Sequence, residues 1–234
     1  MLEGHVTIWK NFYKRLIMIL SLPLFLNCST NILVKNELEQ SEEEKPKKVR
    51  TEEELTVSVT ISDTEYPGLT LYRNPTTRMS VVEFYTRLTG NPEVSDAVLR
   101  SAEENDIPLA LAFALAWGES RYNPRAVNQN MITIDRGLFQ LNSKTFPHLS
   151  PAEYFSPKIN AEYGLSHFRW CLQEGKNEIV AIAIYNAGKG RVEKGGTPRS
   201  TLDHINNITD YRAKLEENFL EWMHERPNLK LCMN

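Results

Sequence analysis

The sequence predicts a mainly α-helical domain that contains one short non-helical stretch. Three observations lead to this prediction. Apolar residues recur at helical spacing over most of the chain after residue 80. Gly, Pro, Asn or Asp residues separate these segments, and strand-like alternation is short. With 234 residues, 41 % of them hydrophobic and 24 % charged, the chain is long enough for one domain of about 150 residues with extensions.

Residues 1–28 have the features of an export signal. Lys10, Lys14 and Arg15 provide a positive flank, and the apolar core LIMILSLPLFL follows at residues 16–26. This core is shorter than the roughly 20 residues that a membrane-spanning helix needs. We therefore expect this segment to direct export.

Cys28 lies directly after this apolar core, in LFLNCSTN. This context resembles the lipobox of bacterial lipoproteins, in which the cysteine is acylated and becomes the new N-terminus. Asn27 stands where that motif usually has a small residue. We expect lipidation of Cys28, with plain cleavage or an uncleaved anchor as the alternatives.

Residues 29–56 are expected to form a flexible tether. Their densely charged run ELEQSEEEKPKKVRTEEE has no apolar periodicity and offers too little apolar surface to offset the entropy of ordering. A flexible coil of this length reaches on the order of 30 Å. Such a tether would let an anchored domain search the space around its anchor.

Residues 57–92 are predicted to form an N-terminal extension of short strands and a helix. TVSVTIS at Thr56–Ser62 and LTLY at Leu69–Tyr72 alternate apolar and polar residues around YPG, which predicts a small hairpin or edge strands. The capping box SVVE at residues 80–83 then opens a helix that Gly90 interrupts.

The helical domain is predicted to span residues 93–226, with residues 227–234 as a C-terminal tail. Caps and proline breaks place its helices at about residues 93–104, 106–123, 160–173, 178–185 and 209–226. The stretch 127–142 is the exception, because it lacks helical periodicity.

The composition argues against several classes of function. The net charge is −3 and the longest basic block is KPKK, so nucleic acid is not an expected partner. The three cysteines and five histidines are scattered, and we expect no metal and no cofactor. If Cys28 is acylated, Cys171 and Cys232 are left either to pair in an oxidising compartment or to remain two free thiols.

Glu119 is the candidate catalytic residue. Nine apolar residues, Leu109–Trp117, precede it and predict a helix that is buried on all sides. Desolvation and the partial negative charge at a helix C-terminus both disfavour an ionised carboxylate at its end. A carboxyl group kept protonated in this way suits a general acid that protonates a glycosidic oxygen.

Four short motifs accompany this glutamate in order: ES at residues 119–120, GLFQ at 137–140, NAEYG at 160–164 and AIYNAG at 183–188. Together they resemble the lytic transglycosylases of the soluble-type (SLT) domain, in the lysozyme-like superfamily. The resemblance covers about residues 94–215. It implies an α+β lysozyme-like fold, with a small β or loop element beside an active-site cleft, and peptidoglycan glycan strands as the substrate.

The resemblance also assigns roles to residues. It makes Glu119 the catalytic acid and base, with the Tyr185 hydroxyl expected to approach its carboxyl. Asn160 matches a family position but is equally expected as a helix cap. The substrate-binding residues implied are Ser120, Gln140, Asn142, Asn160, Tyr185 and Asn186. Aromatic side chains near the motifs that suit sugar faces are Trp117, Tyr122, Phe146 and Tyr185.

Asp135 is a possible second carboxylate. Its context, TIDRGLFQLNS, is similar to that of a catalytic aspartate in animal-type lysozymes. Two carboxylates about 5 Å apart support hydrolysis, as in a muramidase. With Glu119 alone, the 6-hydroxyl of the same N-acetylmuramic acid closes a 1,6-anhydro ring and no water is consumed. The AIYNAG motif favours this transglycosylase route, whereas Asp135 could instead cap a turn or pair with an arginine.

These inferences predict an exported lytic transglycosylase on the periplasmic side of the envelope, held to a membrane through Cys28. Hydrolysis by Glu119 and Asp135 is one alternative. A peptidoglycan-binding lipoprotein without catalytic activity is another, although the matched polar residues are all present.

Overall fold

The computed structural model describes residues 57–61, 67–226 and 229–233. The predicted export signal and tether lie outside these residues, as does the lipobox cysteine. The described part is mostly helical, which confirms the predicted fold class. Its helices, in chain order, are α1 Pro67–Arg73, α2 Arg78–Thr89, α3 Pro92–Glu104, α4 Leu109–Ser120, α5 Pro151–Tyr154, α6 Pro157–Gly175, α7 Glu178–Ala187, α8 Lys189–Glu193 and α9 Arg199–His224.

Two small sheets accompany the helices. Strands β2 (Val127–Gln129), β3 (Ile134–Arg136) and β4 (Leu141–Asn142) form an antiparallel sheet in the stretch that lacks helical periodicity. The other two strands, β1 (Val57–Ile61) and β5 (Leu229–Met233), pair in parallel and join the two ends of the described chain.

Helix α4 is the centre of the core. Every residue of Leu109–Ala116 is buried, as the unbroken apolar run predicts. Helices α3 and α9 pack against α4, while α7 packs against α6 and α9. Burial on all sides fixes the axis of α4, and this in turn fixes the position of the polar residues at its C-terminal end.

The predicted hairpin of residues 56–72 is wrong. Leu69–Tyr72 lies in helix α1, where Pro67 occupies the first helical position and Leu69, Leu71 and Tyr72 are buried in the same core as α4. The alternation in Val57–Ile61 does form a strand, but its partner is β5, more than 160 residues away in sequence.

The helix boundaries differ from the predicted ones at several points. Helix α2 begins at Arg78, so Ser80 lies inside the helix rather than capping it. Helix α4 ends at Ser120, because Arg121 and Tyr122 adopt the left-handed conformation with φ of 55° and 64°. Helix α9 begins at Arg199, ten residues earlier than predicted.

The short helices α5 and α8 were not expected from the apolar pattern, since each is too short to show a period. Across the described ranges, none of the helices combines the length and the apolar character that crossing a membrane requires.

Candidate active site

Glu119 lies in the last turn of α4, and its side chain is 11 % exposed. The helix stops one residue later, where the backbone N–H of Arg121 donates to the Trp117 carbonyl. The apolar body of α4 thus holds a nearly buried carboxyl group at the edge of the core, with one side accessible to solvent. This is the setting that the apolar run predicts.

His204, which belongs to none of the four sequence motifs, is the side chain that contacts this carboxyl. Its Nε2 atom lies 3.1 Å from Oε1 of Glu119, and the imidazole is 18 % exposed. The contact depends on close packing of α9 on α4. A Cβ atom at Gly118 would meet Cγ1 of Ile208 at 2.7 Å and Cε1 of His204 at 3.3 Å.

A signal for this contact is visible in the sequence only in retrospect. His204 precedes the buried Ile208 by four residues, so the two share one face of α9. A glycine directly before Glu119 permits another helix to approach. Neither feature identifies its partner without the fold.

Tyr185, on α7, lies near both candidate carboxylates. Burial raises the pKa of its hydroxyl well above the ordinary value, and the charges of Glu119 and Asp135 raise that pKa further. The hydroxyl donates a hydrogen bond to the carbonyl of Phe139 at 2.8 Å. Its hydrogen therefore points to the GLFQ turn rather than to the Glu119 carboxyl, which this hydroxyl was expected to approach.

The side chain of Gln140, the last residue of the GLFQ turn, stabilises that turn. Its backbone is in the left-handed region at φ 49°, and its Nε2 donates to the carbonyls of Ala126 at 3.2 Å and Gly137 at 2.9 Å. Both amide hydrogens are thus used within the protein, so a sugar would meet the amide oxygen of this predicted ligand.

Asn160 is not placed to bind substrate. Its side chain is fully buried, and it accepts from the N–H of Phe139 at 2.7 Å and donates to the carbonyls of Arg136 and Tyr154. The prediction that it binds glycan is therefore wrong. The amide instead satisfies two backbone groups at the GLFQ turn and the carbonyl of Tyr154 in α5, which would otherwise cost free energy.

Asp135 lies in β3 and accepts hydrogen bonds from three amides. Asn142 donates to Oδ1 at 2.6 Å, Asn130 to Oδ2 at 2.7 Å and Asn128 to Oδ2 at 3.3 Å. Asn142, predicted to bind substrate, also donates to Thr133. The carboxylate is therefore held by neutral donors in and beside the small sheet, and it forms no ion pair with an arginine of the described residues.

Ser120 and Asn186, the two remaining predicted ligands, flank the site with internal hydrogen bonds. The Ser120 hydroxyl donates to the carbonyl of Ala116, one turn back along α4. The exposed Asn186 accepts from the hydroxyl of buried Thr201 at 2.7 Å and so connects α7 to the start of α9.

Trp117 and Tyr122 do not present rings to a sugar. The Tyr211 ring stacks on Trp117 at 4.1 Å, and the Arg121 guanidinium lies 3.4 Å from the same ring. Groups this close cannot share one face, so both faces of the indole are covered. The Tyr122 hydroxyl bonds to that of Tyr211. Steric coverage therefore excludes the stacking role predicted for Trp117.

A row of rings instead leads from Tyr185 to the surface. His167 lies beside Tyr185 and stacks on Trp170, which is 39 % exposed, while Phe146 and Tyr163 extend the row on its other side. We call these five residues the aromatic row. Its faces suit the apolar sides of sugar rings.

Cys171 is a buried free thiol, which contradicts the alternative of a bridge to Cys232. Burial raises the pKa of this thiol to about 12. Among the residues described, no group of three or more His, Cys, Asp or Glu side chains is arranged to hold a metal ion.

The central part of the chain is similar to known proteins. The model of the transglycosylase SLT domain family matches residues 96–208. Soluble lytic murein transglycosylase of Escherichia coli (strain K12) is 31 % identical over 109 residues, which is 42 % of this chain and 16 % of that protein. The protein of the same name from Salmonella typhimurium shows the same identity and coverage. The chain thus matches about one sixth of the length of these relatives.

Proposed function

Because the model of the transglycosylase SLT domain family matches residues 96–208, we propose that this chain is a lytic transglycosylase acting on peptidoglycan. It breaks the β-1,4 bond between N-acetylmuramic acid and N-acetylglucosamine, with Glu119 as its single catalytic acid and base. The observation that carries the proposal is the nearly buried Glu119 carboxyl at the end of the buried helix α4. A relative named as a soluble lytic murein transglycosylase supports the choice of substrate.

The proposed reaction uses the Glu119 carboxyl group twice, first as an acid and then as a base. Glu119 donates its proton to the glycosidic oxygen, the bond to C1 of N-acetylmuramic acid breaks, and N-acetylglucosamine leaves with a free hydroxyl. The 6-hydroxyl of the same N-acetylmuramic acid then bonds to C1 and returns its proton to the Glu119 carboxylate. The product is a 1,6-anhydro end, and Glu119 is again protonated.

Substrate is held by stacking and hydrogen bonds rather than by charge. The aromatic row supplies apolar ring faces. The side-chain amide of Gln140, the last residue of the GLFQ turn, supplies its carbonyl oxygen as a hydrogen-bond acceptor. The hydrogen bond from the Tyr185 hydroxyl to the Phe139 carbonyl fixes the position of the GLFQ turn relative to the aromatic row.

Hydrolysis is the second candidate reaction, and one observation favours it. The charges of Glu119 and Asp135 both raise the pKa of the Tyr185 hydroxyl, so each carboxylate lies near that residue. A muramidase would use Asp135 to stabilise the positive charge that develops at C1 while water completes the reaction.

We further propose that the chain is exported and anchored by a lipid on Cys28. The positive flank, the apolar core and the cysteine of residues 1–28 support this proposal. Acylation would hold the domain at a membrane surface, with residues 29–56 as the tether to it.

Replacement of Glu119 tests the proposed function. Glu119→Gln preserves shape and the contact with His204 but removes the acid, so we expect near-total loss of release of soluble fragments from purified peptidoglycan, with an unchanged melting temperature. Glu217→Gln, an exposed change on α9, is the matched control and should retain full activity. Activity retained by Glu119→Gln would overturn the assignment. Binding of peptidoglycan without release of fragments by the unmodified chain would indicate a binding protein instead.

A further inference from the structure

We propose that His204 is a positioning residue for Glu119, one that fixes which carboxyl oxygen carries the transferable proton and stabilises the carboxylate formed when that proton leaves. The inference rests on the proposed function, because it concerns the same acid. It is carried by the contact of Nε2 of His204 with Oε1 of Glu119 at 3.1 Å.

The contact is held by packing on both sides. Both side chains are largely buried, at 18 % and 11 % exposed, so water has little access to compete for the hydrogen bond. The absence of a side chain at Gly118 brings α9 against α4 at this position. Ile208, one turn further along α9, is fully buried in the same contact and fixes the rotation of the helix.

A neutral imidazole with its hydrogen on Nε2 suits both states of the acid. When Glu119 is protonated, Nε2–H donates to Oε1, which leaves Oε2 to carry the proton toward the glycosidic oxygen. When that proton has left, the same hydrogen bond is made to a carboxylate and becomes charge-assisted, hence stronger. An interaction that strengthens during proton transfer lowers the barrier to it.

Two substitutions test the role of the hydrogen bond. The amide of His204→Gln can donate near the position of Nε2, so we expect kcat at about pH 7 within a few-fold of that of the unmodified chain. His204→Leu removes the donor, so we expect kcat to fall about tenfold to hundredfold with KM little changed. His224→Gln, an exposed histidine at the end of α9, should behave as the unmodified chain.

Melting temperatures of the variants provide the control for folding. A purely structural histidine would lower the melting temperature of His204→Leu without changing kcat of the folded fraction. A kcat of folded His204→Gln as low as that expected for His204→Leu would overturn the proposal. A kcat for folded His204→Leu equal to that of the unmodified chain would also overturn it.

A second readout does not depend on activity and so separates this proposal from the proposed function. In the full chain labelled with nitrogen-15 histidine, the Nε2 resonance of His204 can be recorded at about pH 7. Glu119→Ala removes the acceptor of the hydrogen bond, so we expect this resonance to move, whereas that of the exposed His224 should not. An unmoved His204 resonance would overturn the pairing, even if the chain releases anhydro ends as proposed.

Discussion

Asn142 donates a hydrogen bond to Oδ1 of Asp135 at 2.6 Å, and the two residues are direct cross-strand partners in β4 and β3. Asn130 donates to the other carboxylate oxygen at 2.7 Å. These hydrogen bonds give Asp135 a structural role in the small sheet. A structural role and a catalytic role for Asp135 predict different responses to substitution.

We expect Asp135→Asn to lower stability and to have only a modest effect on activity. The new amide group faces the donating amides of Asn142 and Asn130, so hydrogen bonds worth about 1–3 kcal/mol in total are lost. The double variant Asp135→Asn with Asn142→Asp restores an acceptor opposite a donor, and should recover most of the loss. Thermal unfolding and release of peptidoglycan fragments measure the two effects.

A muramidase mechanism predicts the reverse. Asp135→Asn would then abolish activity as fully as Glu119→Gln does, and the double variant would recover stability without recovering activity.

Tyr185→Phe should destabilise the domain and slow the reaction. It removes the donor to the carbonyl of Phe139, a fully buried residue, at a cost of about 1–3 kcal/mol. That turn ends at Gln140, which we propose as a substrate ligand. We therefore expect kcat/KM to fall several-fold when the turn is less firmly placed. Tyr72→Phe, which removes a buried hydroxyl bonded to Arg78, should lower the melting temperature without changing kcat/KM. Equal kinetic effects of the two variants would contradict a role for this hydroxyl in placing the turn.

The amino-acid sequence predicted those parts of the fold that depend on local patterns. The apolar run before Glu119 specified a buried helix and placed the carboxyl at its end, because periodicity and burial are properties of adjacent residues. The partner of β1 could not be predicted in the same way, since local alternation says nothing about a strand that follows nine helices later.

The candidate site was predicted only in part, because some of its contacts join residues that are far apart in the sequence. His204 lies 85 residues from Glu119, and only the packing of α9 on α4 brings them together. Asn160 has the polar amide expected of a sugar ligand, but the sequence does not reveal that three backbone groups, two at the GLFQ turn and one at the end of α5, already use that amide. A polar residue in a motif can therefore serve the shape of the site rather than the substrate.

Gly137→Ala should destabilise the domain by about 2–4 kcal/mol. Gly137 has φ of 80°, and a Cβ atom would meet the Tyr154 carbonyl oxygen at 2.1 Å and Nδ2 of Asn160 at 2.2 Å. Gly190→Ala is the matched control. Gly190 lies in α8 with no described atom within 4 Å of the added carbon, so we expect no loss or a small gain of stability. Similar melting temperatures for the two variants would contradict the close packing of this turn.

Stability should decrease as pH falls from about 7 to about 5, with His167 as a main cause. Burial lowers the pKa of His167 below the ordinary value of about 6.5 that it regains on unfolding. Between the two pKa values the unfolded chain binds more protons than the native chain, so the free energy of unfolding falls as pH falls. The melting temperature of His167→Phe should fall less over this range than that of the unmodified chain. The melting temperature of His224→Phe, a change at an exposed position, should fall as much as that of the unmodified chain. An identical decrease in all three proteins would contradict this origin.

The masses of the sugar ends released from purified peptidoglycan test the central claim most directly, when the digestion is carried out in water enriched in heavy oxygen. If Glu119 acts alone as acid and base, the N-acetylmuramic acid ends are anhydro, one water lighter than reducing ends, and contain no heavy oxygen. Reducing ends that carry heavy oxygen from the solvent would show that water attacks C1, and would contradict the transglycosylase mechanism.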